Sequence, residues 1–131
     1  MINFKDKNMN YCYTCFSVAY QNNFNLKHFA SELNLDEKTL ILYDCGTAIE
    51  IGANERYEKD VNAMIRKTLG DLINKADKLL ELKKLYGLKY KLCRVCLLSR
   101  DDENMNLSLS PDIIEFLSLS QTEDALEYTI K

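Results

Sequence analysis

Hydrophobic positions alternate with polar ones at the start of this chain, recur at helical spacing in the middle, and alternate again at the end. Residues 11–20 (YCYTCFSVAY) are rich in aromatic and β-favouring types and predict a strand. Neighbours in a strand project to opposite faces, so Cys12, Thr14, Phe16, Val18 and Tyr20 form one side of it. In NLKHFASELN, Leu26, Phe29, Ala30 and Leu33 fall at i, i+3, i+4 and i+7, one apolar helix stripe with Asn25 placed to cap it. TLILYDCGTAIEI predicts a hairpin, with strands over 40–43 and 47–51 and a turn at Asp44-Cys45-Gly46. The longest helical pattern covers about 57–86, through Val61, Met64, Ile65, Leu69, Leu72, Ile73, Ala76, Leu79, Leu80 and Leu85. Gly70 and Asp77 interrupt it, which leaves open one bent helix or two, and Gly87 fits the residue that ends it. LKYKLCRVCLLS is the most apolar strand and is expected inside a sheet. SPDIIEFLSLS predicts a short helix with Ser110 as cap and Pro111 in its first turn. ALEYTIK closes the chain as a strand in which Leu126, Tyr128 and Ile130 share a side.

The resulting order is β-α-β-β-α-β followed by α-β. The first six elements fit a ferredoxin-like plan. The expected fold is therefore α+β, with a ferredoxin-like core, an added C-terminal α-β and helices packed on one face of the sheet. The final strand would extend that sheet or pair at its edge. A chain of 131 residues suffices for one domain over 1–131, with 1–9 read as a loosely ordered lead-in.

Composition narrows the class. The chain is 47% hydrophobic and 28% charged, an ordinary globular balance, and no apolar run approaches the roughly 18–20 residues of a membrane span. MINFKDKNMN lacks the apolar stretch of a secretory signal, so the cytoplasm is expected, with the five cysteines reduced. The net charge of −3 gives no overall attraction to nucleic acid or anionic lipid. The charge is uneven. Residues 75–94 hold seven basic side chains against Asp77 and Glu81, and residues 99–131 hold eight acids against Arg100 and Lys131. Solvated faces account for such runs in most proteins; an acidic patch that meets a basic partner is the sharper alternative.

Two Cys-x-x-Cys motifs, Cys12/Cys15 and Cys93/Cys96, suggest the halves of a four-thiolate zinc site. A zinc knuckle needs both thiolates on one side of a tight turn, each about 2.3 Å from the metal. Both motifs here sit in strand-like runs without Gly or Pro, so residues i and i+3 point to opposite faces and the thiols diverge. If the two strands are neighbours, a cysteine of each approaches the other as packing. Neither motif precedes a helix start, as a thioredoxin-type pair requires. No metal and no cofactor are expected. The single histidine, His28, lies off the apolar stripe and reads as solvated, so a Ser-His-Asp triad is not expected. Phosphate-cradling glycine motifs are absent, and the glycines of CGTAIEIGANE read as turn glycines of the hairpin. An RNA-binding version of the plan needs aromatics on its third strand, where 47–51 has none and carries Glu50. Tyr11 and Tyr13 lie on the opposite side of their strand from Phe16 and Val18, as core residues of mixed burial or as anchors of an interface.

The second half, with LLELKKLYGLKYKLCRVCLL and above all LSLSPDIIEFLSLS, resembles the domain of unknown function 4279 family, and FNLKHFASELNL is similar to that family's first strand and helix. Family members often carry a Trp and Pro-rich turns in the middle segment; this chain has no Trp and its single proline is Pro111. The resemblance implies a small bacterial cytoplasmic domain, of a kind that recurs beside toxin genes with immunity as the suggested role. It carries over no catalytic residue.

The expected function is thus a non-enzymatic binding protein, an immunity protein that neutralises a basic toxin domain through Asp101, Asp102, Glu103, Glu123 and Asp124. The alternative is a small-molecule-binding or regulatory domain acting as a dimer.

Overall fold

The computed structural model describes residues 11–42, 47–57, 60–98 and 108–130; the expected turn at 44–46, the lead-in at 1–9 and the acids Asp101, Asp102 and Glu103 lie outside them. The chain forms β1 (Tyr11–Ala19), α1 (Leu26–Leu33), β2 (Ile41–Leu42), β3 (Ala48–Tyr57), α2 (Val61–Leu69), α3 (Ala76–Tyr86), β4 (Lys89–Leu98), α4 (Pro111–Ser120) and β5 (Thr122–Ile130). Short 3-10 turns cover Glu37–Thr39 and Gly70–Asn74. The architecture is α+β, with one mixed sheet in the order β2-β3-β1-β4-β5. β1 runs antiparallel to both β3 and β4, and β2 antiparallel to β3, while β5 lies parallel to β4 at the edge. The five-strand order differs from that of a four-stranded ferredoxin-like sheet, because β5 enters outside β4 in the parallel sense.

The alternation read from the sequence sets the layers. Cys12, Thr14, Phe16 and Val18 of β1, Ile49 and Ile51 of β3, and Tyr90, Leu92 and Cys96 of β4 are all buried toward the helices. The helices meet them with Phe29 and Leu33 from α1, Met64, Ile65 and Leu69 from α2, Leu79 and Leu82 from α3, and Ile113, Phe116 and Leu117 from α4. Phe16 stands at the centre, its ring 5.3 Å from that of Tyr90 and 6.2 Å from that of Phe116. The buried Tyr90 hydroxyl donates to the Leu79 carbonyl at 2.7 Å, which ties β4 to α3 while satisfying the one polar atom of that ring.

The caps follow the sequence closely. Asn25 accepts from the His28 amide at 3.0 Å, Asp60 from the Ala63 amide at 3.1 Å, and Gly87 ends α3 in the left-handed conformation. Ser110 sits at the cap of α4 and Pro111 is its first residue, but the Ser110 hydroxyl donates to the Asp112 carboxylate rather than accepting a helix amide. One open alternative is decided and two expectations change. The long helical pattern is two helices, because Gly70 at φ +52 breaks it into a 3-10 turn. Leu85 is 59% exposed while Leu82 is buried, so the apolar stripe of α3 runs through Leu79 and Leu82. Gly52 is no turn glycine: it lies inside β3, which continues to Tyr57.

Gly52 marks an irregularity in the β1–β3 pairing, where Thr14 faces Asn54 but Phe16 faces Ile51. Its φ is +66, and a Cβ placed there would stand 2.1 Å from the Thr68 carbonyl oxygen of α2. The missing side chain lets α2 settle against the sheet, where the buried hydroxyls of Thr68 and Thr14 meet at 2.5 Å.

Candidate functional site

Among the described residues, the helices cover one face of the sheet and leave the other open. On the open face β1 presents Tyr11, Tyr13, Cys15 and Ser17, and β4 presents Lys89, Lys91, Cys93, Val95 and Leu97. Cross-strand pairs build it: Tyr11 stands opposite Leu97, Tyr13 opposite Val95 and Cys15 opposite Cys93. Val95 is 45% and Leu97 36% exposed, beside two half-buried tyrosines. This makes an apolar and aromatic patch at one end of the face.

Carboxylates rim that patch. From β3, the Tyr11 hydroxyl donates to Glu55, and the Tyr13 hydroxyl donates to Glu50 Oε2 at 2.8 Å. From β5, Glu127 lies in register with Val95 and Glu123 with Lys91. Burial first, and the hydrogen bond to Glu50 second, hold the Tyr13 phenol well above its ordinary pKa, so it stays neutral. Among the described residues, Glu50, Glu55, Glu123 and Glu127 face Lys89 and Lys91 on this surface, a net acidic balance around an apolar centre.

The cysteines occupy both faces. Strand alternation sends Cys12 and Cys15 apart, as it does Cys93 and Cys96, and the register then pairs each with the opposite motif: Cys12 with Cys96 under the helices, Cys15 with Cys93 on the open face. The thiols within each pair are hydrogen-bonded. The hydrogen bond from Cys15 pulls the Cys93 thiol down to about 7, with Lys91 assisting, while the same contact and burial hold the Cys15 thiol well above its ordinary value. Among the described residues no group of three or more Cys, His, Asp and Glu side chains is arranged to hold a metal ion.

The acids expected to meet a partner are divided by the same alternation. Glu123 is exposed on the open face. Asp124, its neighbour in β5, points to the helix side, where both its oxygens accept from Arg94, at 3.0 Å from Nε and 2.6 Å from Nη2. The two therefore do not share a surface, and Asp124 is engaged within the fold. Part of the charge asymmetry resolves likewise into pairs within the chain: Arg66 with Asp112, Lys75 with Asp71, and Lys78 with Glu32 and Glu81. His28 is more than a solvated side chain, since its Nδ1 meets the Tyr86 hydroxyl at 2.7 Å and its Nε2 lies 3.3 Å from Glu32, fastening α1 to α3. The residues that sequence reasoning left out, Val95 and Leu97, carried a signal: they alternate with the buried Arg94 and Cys96, which placed them on the open side once β4 is a strand.

A groove of about 500 Å³ lies between the end of α1, the irregular part of β3 and the turn after α2, lined by Leu33, Ile51, Gly52, Thr68 and Lys75 among others. Its cation is engaged, with Lys75 Nζ on the Leu33 carbonyl at 2.5 Å and on Asp71 at 3.1 Å. No helix among the described residues is long and apolar enough to cross a membrane. No family model, no curated protein and no solved structure matches the chain.

Proposed function

We propose that this chain is a non-enzymatic binding domain that docks a partner protein on the helix-free face of its sheet. The observation that carries the proposal is the pairing of half-buried Tyr11 and Tyr13 with exposed Leu97 and Val95, surrounded by Glu50, Glu55 and Glu127. Aromatic and aliphatic centres with a polar rim are the usual anatomy of a docking surface. The acidic rim favours a partner with an apolar centre and basic surroundings, and steers its approach. An immunity protein against a basic toxin domain is the narrower form, supported by that rim and by the resemblance to the domain of unknown function 4279 family; a cytoplasmic location belongs to the same proposal. Co-expression with the product of the neighbouring gene tests it. Rescue from toxicity, lost on Val95→Glu, is the expected result; toxicity unchanged by the wild-type chain contradicts the immunity form.

Within this proposal, the first four strands are read as a ferredoxin-like core. What supports that is their order, β4-β1-β3-β2, with each neighbouring pair antiparallel, to which α4 and β5 are added.

A second reading, a ligand-binding or regulatory domain acting as a dimer, has its own observation in β5. Among the described residues this nine-residue strand pairs on one side only, with β4. Antiparallel pairing with β5 of a second copy about Leu126 sets Asp124 against Tyr128, Ala125 against Glu127 and Glu123 against Thr129, with no two acids opposed. Shifting the centre to Ala125 opposes Glu123 with Glu127, and shifting it to Glu127 opposes that residue with itself. Like charges directly opposite destabilise a strand pair, so of these three registers the acids favour the one about Leu126. Sedimentation of Leu126→Pro against the wild type tests this: a dimer that becomes a monomer supports it, and a monomeric wild type removes it.

A further inference from the structure

The two Cys-x-x-Cys motifs suggest disulfides within each motif, but three strand residues span about 10 Å and a disulfide needs Cα atoms within about 4.4–6.8 Å. Directly opposed residues of an antiparallel pair stand about 4.5–5.5 Å apart, inside that window. Cys15 opposes Cys93 and Cys12 opposes Cys96. The two pairs differ in access. Cys12 and Cys96 are 0% and 2% exposed beneath the helices, whereas Cys93 is partly open to solvent on the bare face.

We propose that Cys15 and Cys93 are a thiol-oxidation site that closes to a disulfide by exchange with a low-molecular-weight disulfide such as glutathione disulfide, while Cys12 and Cys96 stay reduced. The site stands on strand register and face, and does not depend on the partner-binding proposal. The accessible Cys93 thiolate attacks one sulfur of glutathione disulfide. A Cys93–glutathione mixed disulfide forms, and the expelled thiolate takes up a proton. Once its sulfur is tied up in that bond, Cys93 no longer draws on the Cys15 proton. Cys15 then gives that proton to solvent and its sulfur attacks Cys93 Sγ, expelling a second glutathione. Two protein thiols are oxidised and one disulfide is reduced to two thiols, so atoms and electrons balance.

The groups around the pair favour Cys93 as the first to react. Its hydrogen bond from Cys15, with Lys91 assisting, stabilises the thiolate against burial and the carboxylates of Glu50 and Glu127. Cys15 is 1% exposed, beside Tyr13 and Cys93, and acts as the resolving thiol.

Trypsin provides the test, because cleavage at Arg94 separates Cys93 (peptide 92–94) from Cys96 (peptide 95–100), while Cys12 and Cys15 share peptide 8–27 and Cys45 falls in 39–56. The native full-length chain is incubated with glutathione disulfide, alkylated and mapped without reduction. The expected result is peptide 92–94 joined to 8–27 through Cys15 on fragmentation, with free thiols falling from five to three per chain. Cys15→Ala is expected to stop at the Cys93–glutathione adduct. A wild-type chain that stops at that adduct, that links peptide 95–100 or 39–56 instead, or that keeps all its thiols overturns the proposal.

Discussion

Arg94 and Asp124 clasp each other on the helix side of the sheet, two parallel hydrogen bonds joining β4 to β5 with the guanidinium only 3% exposed. A bidentate pair of this kind fixes the relation of two strands as well as neutralising a buried charge. Because β5 is an edge strand with most side chains exposed, the clasp supplies part of what core burial does not.

Removing Asp124 takes the bidentate carboxylate contact away from a buried guanidinium. Asp124→Ala should therefore cost about 3 kcal/mol of stability, at the low end for a buried pair because the carboxylate is 31% exposed. Replacing both, Arg94→Met with Asp124→Leu, should recover much of that loss. Urea unfolding of the three variants measures it. The same Asp124→Ala chain, kept below its melting point, should bind its partner as the wild type does.

Gly52 and Gly87 separate backbone strain from steric conflict. Gly87 has φ +64 and nothing within 4 Å of where a Cβ would stand, so Gly87→Ala should cost about 1 kcal/mol. At Gly52 the strain is added to a clash with the Thr68 backbone, and Gly52→Ala should cost about 3 kcal/mol or more. Equal losses in thermal or urea unfolding would mean that α2 does not rest on this strand.

Acid should weaken the fold in a defined window. Arg66 holds the Asp112 carboxyl well below its usual pKa, and Lys78 and Lys75 lower those of Glu32 and Asp71. A carboxyl depressed in the folded state stabilises it fully above the unfolded value of about 4, and that contribution is lost as pH falls through the folded value. The melting temperature should hold from neutral pH to about 5 and fall below about 4, less steeply in Asp112→Asn.

Cys93 should alkylate with a pH midpoint of about 7, unreactive below it and reactive above. Cys15→Ala removes the hydrogen bond and should move the midpoint toward the free-thiol value of about 8.5. Mass spectrometry of peptide 92–94 across a pH series reads both.

Local chemistry made much of this fold legible. Asn25, Gly87 and Pro111 marked helix ends, and alternation placed Phe16 and Val18 in the core. The divergence of Cys12 from Cys15 also followed from strand geometry, but their true partners required the register of β1 on β4, which no single segment encodes. Gly52 reads as a turn because its role depends on α2, sixteen residues further along at Thr68. Asp124 reads as a surface acid because only the parallel docking of β5 brings it to Arg94. The open face was half visible, in Tyr11 and Tyr13; Val95 and Leu97 read as core because only the packing of the helices on the opposite face leaves them exposed.

The central claim is that the bare face of the sheet binds a protein. Its most direct measurement is co-purification from the native host with three tagged chains: wild type, Val95→Glu on the open face, and Leu119→Glu at the exposed surface of α4. The account predicts a stoichiometric partner with the wild type and with Leu119→Glu, and its loss with Val95→Glu. A partner kept by Val95→Glu, or lost only with Leu119→Glu, would contradict it.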